Sequence, residues 1–397
     1  MHSRAALLRS FLGLNRNVAV LPASLFGLAL GEELWQPYIP AYLTALGASG
    51  LVVGLFGSCK DLLDGVFQYP GGWLADRIGR RRALLVFTAL AIAGYATYAI
   101  APSWPVVFVG LIGVMAWKSA AFPLTFAVIG DSLPRERRAT AFSVQSILVR
   151  VPRVIGAPIG GLLIASLGMI GGVRVALVVT IVLALAVLAV QRYGYREDHD
   201  AIRATDSAGI RAIFGGMPPS LKRLLVADCL VRIGEGLSTS FIVLFVTQTR
   251  HFSVVDYGLL YAVQQGVSIA SYLPGGRLAD LTGRGPLVAL TFAFFATFPL
   301  AVRLATSFPL LLAAFFIGGL KEFGEPARKS LIVDFSPDQQ RARTVGVYYG
   351  IRNLLVVPAG ITGGLLWQQS PTLPLEVSCA VGAIGTVVFV LTSRRDG

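Results

Sequence analysis

Read for apolar and polar positions, the chain is a succession of long hydrophobic runs punctuated by proline, glycine and charge. Ala83–Ile100 and Val173–Val190 are two such runs, each close to the roughly 20 residues an α-helix needs to cross a bilayer core. The same reading along the whole chain predicts twelve spans. In the first half they lie near 18–44, 51–74, 82–101, 104–131, 140–168 and 173–192. In the second they lie near 222–248, 254–278, 286–304, 308–333, 342–369 and 374–392. Between the halves, Tyr193–Leu221 is polar and holds a short candidate helix around Ile210–Phe214. The expected organisation is a tail (1–17), a six-helix half (18–192), a linker (193–221), a second six-helix half (222–393) and a short tail (394–397). Loops elsewhere are short, which leaves no room for a soluble catalytic domain.

The pattern is also written twice, with a period of about 203 residues. Lys118 recurs as Lys321, Pro123 as Pro326, Asp131 as Asp334 and Arg138 as Arg341. Gly31-Glu32 recurs as Gly234-Glu235, and Gly160-Gly161 as Gly363-Gly364. With one further residue of offset, Pro70-Gly71-Gly72 and Asp76 return as Pro274-Gly275-Gly276 and Asp280, and Gly79-Arg80 as Gly283-Arg284. Charged and proline positions inside hydrophobic helices seldom coincide by chance. Two homologous membrane halves around one central site is the architecture of a secondary transporter.

Composition agrees. Of 397 residues 14% are charged and 55% hydrophobic, and mean hydropathy is +0.70, too little charge to coat a soluble domain of this length. The net charge of +13 would suit a nucleic-acid binder, so its placement decides. Arginines gather in the N-terminal tail, at Arg77–Arg82, at Arg135–Arg138, in the linker and at Arg394 and Arg395, while the alternate loops offer only Arg174, Arg250 and Arg303. Loops alternating between basic and bare follow the positive-inside rule and place both termini in the cytoplasm of an inner-membrane protein. The basic balance then reports topology and contact with anionic lipid, with no nucleic-acid partner. Cys59, Cys229 and Cys379 fall inside apolar spans without metal-like spacing, and neither a metal nor a cofactor is expected.

At the junction of spans two and three, Gly72-Trp73-Leu74-Ala75-Asp76-Arg77-Ile78-Gly79-Arg80-Arg81 resembles the Gly-x-Leu-Ala-Asp-Arg-x-Gly-Arg-Arg motif of the major facilitator superfamily. A degenerate copy, Gly276-Arg277-Leu278-Ala279-Asp280-Leu281-Thr282-Gly283-Arg284, lies between spans eight and nine, where that family places one. Gly72 allows two helices to approach and Gly79 allows a backbone turn that other residues resist. The resemblance implies an all-α, twelve-helix fold in two pseudo-symmetric halves. It also implies that Asp76, Arg77 and Arg80 clip the cytoplasmic side shut, joined by Asp131, Arg138, Asp280, Arg284, Asp334 and Arg341. In that family, spans one, four, seven and ten line the cavity, and two, five, eight and eleven flank it.

Charge inside the membrane is expensive, about 2.5–3.5 kcal/mol per group at the centre of a span on insertion scales. Such groups must line a wet cavity or pair internally. Span one carries Glu32 and Glu33, span two Lys60, Asp61 and Asp64, span four Lys118, and span five Arg150 and Arg153. Span seven carries Glu235, span ten Lys321, Glu322, Glu325, Arg328 and Lys329, and span eleven Arg352. Nearly all fall on the eight spans that the resemblance assigns to the cavity. Lys60–Asp64 and Lys321–Glu325 are spaced i,i+4 and could neutralise each other. Lys321 has Glu322 and Glu325 beside it, whereas Lys118 has no acid nearby in its own span and must pair with Glu32, with Asp61 or with an anionic group on a substrate. No histidine lies in a span, so a proton would travel on a buried carboxylate, with Glu32 and Glu235 first and Asp61 and Asp64 next. Glu33, Lys60, Lys118, Arg150, Arg153, Lys321, Glu322, Glu325 and Arg352 are the substrate-cavity candidates.

Span five contains Gly156-Ala157-Pro158-Ile159-Gly160-Gly161, similar to the Gly-Pro-x-x-Gly-Gly motif of the superfamily's proton antiporters with the proline displaced by one position. A close-packed, kinked helix explains the same residues. The expectation is a monomeric secondary transporter exporting a small organic solute in exchange for protons. A proton symporter for an anionic metabolite is the alternative, and a non-transporting receptor on the same fold is the alternative of another class. No nucleophile–base pair or phosphate loop points to an enzyme or to ATP-driven transport.

Overall fold

The computed structural model describes residues 16–132, 135–194, 210–337 and 341–393. Each of the twelve expected spans coincides with helix among these residues. Six helical stretches are apolar and long enough on their own to cross a bilayer.

The first span is interrupted. Helix α1 (Arg16–Glu33) ends at a single 3-10 turn, Gln36–Tyr38, before α2 (Ile39–Ala45). Pro37 and Pro40 each stand in the first turn of the element they open, the place where a missing N–H costs no hydrogen bond. Helices α3 (Gly50–Ile78) and α4 (Arg80–Ile100) meet at Gly79, with φ 87° and ψ 149°. Their counterparts α9 (Val254–Thr282) and α10 (Arg284–Leu304) meet at Gly283, with φ 88° and ψ 153°. The repeated motif thus makes the same left-handed turn twice, in a region glycine enters without penalty.

Between these, α5 (Trp104–Ser132) forms span four. Spans five and six, expected to be parted by a loop near 169–172, form one helical run, α6 (Arg135–Gly194), bent at Gly168 with φ 75°. After the six-residue helix α7 (Ile210–Gly215), α8 (Pro219–Leu244) continues through a π-turn at Phe245–Thr249. Span ten, read as continuous, is broken. Helix α11 (Phe308–Leu320) and α12 (Glu325–Asp334) are separated by the turn Lys321–Gly324. Gly324 and Pro326 explain the break, since Pro326 has no N–H to give to the preceding turn. The freed N–H of Gly324 donates to the buried Thr291 hydroxyl at 2.7 Å. Helices α13 (Arg341–Gln369) and α14 (Leu373–Ser393) complete the chain.

The contacts fall into two units. One holds Met1–Gly47 and Leu63–Ala204, the other Ala48–Leu62 and Thr205–Gly397. In the first, a buried belt of Trp35, Tyr38, Tyr42, Tyr95 and Tyr98 fills the space between α1, α2 and α4. Trp35 meets Tyr95 and Tyr98 edge-on, with ring centroids 5.8 and 5.6 Å apart. The phenol of Tyr38 donates to the Ala157 carbonyl at 2.6 Å. On α6, Gly160 lies so close to Leu34 that a Cβ there would strike the Leu34 carbonyl oxygen. In the second unit Gly363 meets the carbonyl of Leu237 in the same way, so both partners of this contact recur at an interval of about 203 residues. The opening turns of α3 also pack in the second unit. Gly54 and Gly360 present backbone to backbone, and the Ile361 N–H donates to the Ser58 hydroxyl at 2.9 Å.

Candidate functional site

The break after α1 places two carboxylates at the end of a helix, inside the first unit. Glu32 and Glu33 are both 5% exposed. The Thr180 hydroxyl accepts from the Trp35 indole at 3.1 Å and donates to the Gly31 carbonyl at 2.8 Å. This fixes the backbone on both sides of the pair. Glu32 receives the Tyr95 phenol at 2.6 Å on one oxygen and faces the Lys118 ammonium at 3.2 Å with the other. Lys118 also donates to the Gln36 side-chain carbonyl at 2.6 Å. Glu33 turns to Arg153, 3.3 Å away. Of the partners left open by the sequence for Lys118, the structure supplies Glu32.

The second unit repeats the device and adds to it. The Ser378 hydroxyl donates to the Gly234 carbonyl at 2.6 Å, as Thr180 does to Gly31. Glu235, the next residue, takes Lys321 at 2.9 Å and Arg232 at 2.8 Å. The expectation that Glu325, one helical turn on, neutralises Lys321 is corrected here. The chain leaves the α conformation at Lys321–Gly324, so positions 321 and 325 are not stacked one helical turn apart, and Lys321 points to span seven. The rings of Phe295 and Phe298 lie 4.8 and 5.0 Å from its ammonium, a favourable placement for a cation against aromatic faces. Where α4 has Tyr95, α10 has Pro299.

Beside this pair lies a buried network confined to the second unit. Asp228, fully buried, accepts from Arg328 and from the Tyr348 phenol at 3.0 Å. Arg328 in turn forks onto Glu325 at 2.9 and 2.6 Å, and Arg232 approaches the same carboxylate at 3.6 Å. Lys329 reaches Glu325 at 3.8 Å from the surface side. Arg352 stands at the margin, 3.7 Å from the Asp228 oxygen that Arg328 and Tyr348 already occupy. At the 203-residue interval, Asp228, Arg232, Glu325, Arg328 and Arg352 correspond to Leu25, Ala29, Phe122, Thr125 and Val149. The paired Glu and Lys belong to both halves; the network belongs to one.

Among the remaining candidates, Lys60 and Asp61 pack with the second unit and Asp64 with the first, although all three stand on α3. Arg150 lies on α6 and Glu322 in the span-ten turn. Of the motif residues, Arg284 pairs with Asp334. Gly72 and Arg77 lie near the end of α3, just before Gly79. The side chains of Asp76, Arg80, Asp131, Arg138, Asp280 and Arg341 lie outside the described residues. Sequence reasoning passed over Tyr95, Gln36, Asp228, Arg232 and Tyr348. Asp228 and Arg232 carried a usable signal, an i,i+4 acid–base pair in an otherwise apolar run; the neutral residues carried none.

Comparison with known proteins agrees with this architecture. The sequence profile described as Major Facilitator Superfamily matches residues 23–222 and 224–397. The multi-drug resistance efflux pump PmrA homolog of Lactococcus lactis subsp. lactis is 26% identical over 396 residues, covering 95% of this chain and 93% of its own. An uncharacterized MFS-type transporter of Methanocaldococcus jannaschii is 20% identical over 389 residues, covering 95% of each chain. Among solved structures, a mutant of the nucleoside transporter NupG aligns with a TM-score of 0.80 at 13% identity over 95% of this chain and 98% of its own. A POT family transporter aligns at 0.79 and 12% identity over 96% of each. With the profile spanning both halves and the fold shared, the chain belongs to the major facilitator superfamily, and is a multi-pass membrane transporter rather than an enzyme.

Proposed function

We propose that this protein exports a small organic compound across the inner membrane in exchange for protons, as a monomer working by alternating access, with linker and both termini in the cytoplasm. The observation that carries the reading is the duplicated, buried carboxylate–ammonium pair, Glu32 with Lys118 and Glu235 with Lys321. A proton taken up by such a carboxylate cancels its attraction for the lysine, so protonation and a rearrangement of the neighbouring helices are linked. Glu32 is the better carrier. It has one cation and one neutral phenol around it, whereas Glu235 is held by two cations. The similarity to the efflux pump PmrA homolog supports export. One proton crossing 100 mV yields about 2.3 kcal/mol, enough for about a fifty-fold gradient of a neutral solute. Asp76, with Arg77 and Arg80, serves as the cytoplasmic clip of the cycle.

The test is transport in proteoliposomes under an imposed pH gradient, with ethidium as the probe. The wild type accumulates ethidium against its gradient when the trans side is acid. Glu32→Gln abolishes that accumulation while leaving downhill exchange measurable. Uphill transport that survives in Glu32→Gln, in Glu235→Gln and in the double variant removes both residues as coupling sites. The abundance of cations, with Lys118, Arg153, Lys321 and Arg352 all close to a carboxylate, favours a second reading, proton symport of an anionic metabolite. In that case solute and proton enter on the same side, and reversing the gradient distinguishes the two.

A further inference from the structure

The second-unit network is built beyond what the fold requires, because the first half does without it. Arg328 makes contacts that look structural. It is 2% exposed, forks onto Glu325 and reaches Asp228, so its charge is shared between two carboxylates. Arg232 and Lys321 share Glu235 at 2.8 and 2.9 Å, and Arg232 also has Glu325 at 3.6 Å. Arg352 is not matched in this sense. Among the described residues its carboxylate neighbour is Asp228, at 3.7 Å through an oxygen that already accepts two nearer donors. Among the described residues its guanidinium otherwise bonds the neutral side chain of Asn353, at 3.0 and 3.3 Å. Arg153, a charge on span five at a different position of the repeat, differs in having Glu33 at 3.3 Å. A guanidinium is always charged, and one left short of counter-charge in a span is among the costliest groups to keep there.

We infer that Arg352 completes its charge balance with an anionic group on the transported solute, so that the second unit holds a binding site for organic carboxylates. The inference deepens the export reading by naming a substrate class and rests on that reading only for the word "transported". The surroundings fit an aryl or alkyl acid. The Arg352 side chain is 16% exposed, so it can be reached. The Tyr349 ring centroid lies 4.6 Å from the guanidinium carbon, Asn353 takes the Nε–Nη2 side, and the Nη1–Nη2 end is the edge that would fork onto a carboxylate. At the corresponding position the first half carries Val149.

The experiment compares benzoate with benzamide, which has nearly the same shape and no charge, on the purified full-length protein in neutral detergent. Both are titrated at constant ionic strength, and thermal unfolding is followed. A ligand that binds only the folded state raises the midpoint, here by about 2–4 °C at concentrations well above half-saturation. Benzoate is expected to give this shift in the wild type and benzamide none. Arg352→Gln should lose the benzoate shift, and Arg352→Lys, which keeps the charge and secures a second readout if the glutamine variant folds poorly, should retain part of it. Equal shifts for the two compounds, a benzoate shift that survives in Arg352→Gln, or an identical shift from chloride each overturns the proposal; the last would indicate an inorganic-anion site. Accumulation of ethidium and of labelled benzenesulfonate by wild-type proteoliposomes is scored separately. A benzoate response with no proton-driven accumulation of either ethidium or labelled benzenesulfonate sinks the export reading and leaves the site standing, whereas accumulation without a benzoate preference does the reverse.

Discussion

At the scale of single residues, the buried charges balance each other and cannot be judged one at a time. Lys118 sits between Glu32 and Gln36, and removing one member of such a pair leaves the other buried without compensation, a loss of about 3–5 kcal/mol. Lys118→Met should therefore lower thermal stability more than the double substitution Glu32→Gln, Lys118→Met, in which no charge is stranded. A double variant less stable than the single one by the full Glu32→Gln increment would show that the two residues are uncoupled. The charged half of this site was legible in the sequence because Glu32, Glu235, Lys118 and Lys321 interrupt apolar runs and do so twice. Tyr95 was not, since a tyrosine in an apolar span has many uses and only the fold brings its hydroxyl to Glu32. The reading of Lys321 failed for a local reason: spacing arguments assume an unbroken helix, and span ten breaks at that residue.

At the scale of elements, glycine sets how near the helices come. A Cβ at Gly160 would collide with the Leu34 carbonyl oxygen, whereas at Gly171 its nearest neighbour is the Leu167 Cβ at 3.5 Å, an ordinary contact. Both lie on α6, so one substitution serves as the control for the other. Gly171→Ala should raise stability slightly, by up to about 1 kcal/mol through helix propensity. Gly160→Ala should lower it clearly, because α1 and α6 must move apart. Thermal unfolding of the two variants side by side checks this; a Gly160→Ala protein as stable as Gly171→Ala would mean that the crossing tolerates a methyl group. Where the chain turns, His251 adopts φ 58° in the loop corresponding to that of Gly47, with φ 87°. The backbone form is kept in both halves although only one uses the residue that favours it.

At the scale of the whole molecule, the repeat and the motif near Gly79 carried the fold class, and the profile match across both halves agrees. What the sequence could not show was how the extra charges of the second half are joined. Charges can be counted along a chain, but whether Arg328 bridges Asp228 and Glu325 depends on α8 and α12 meeting. The proposed orientation has its own test. With the three native cysteines replaced, a cysteine at Ser207 in the linker should resist an impermeant thiol reagent applied to intact cells and react once the membrane is opened. Labelling from outside would invert the topology.

The fifteen residues Ala48–Leu62 precede the linker by well over a hundred positions and yet pack with the second unit. The boundary between the two sequence repeats is therefore not the boundary between the two packed bodies. A gene cut at the linker would yield a C-terminal fragment with Gly360 bare along the line where Gly54 rests, and with the Ile361 N–H lacking the Ser58 hydroxyl. The complementary N-terminal fragment would carry a helix whose first turns have lost their seat. Neither product would be a finished module, and each would hold the missing piece of the other. Scission at the linker would therefore not undo the repeat, because a stretch of helix that one half encodes is housed by the other.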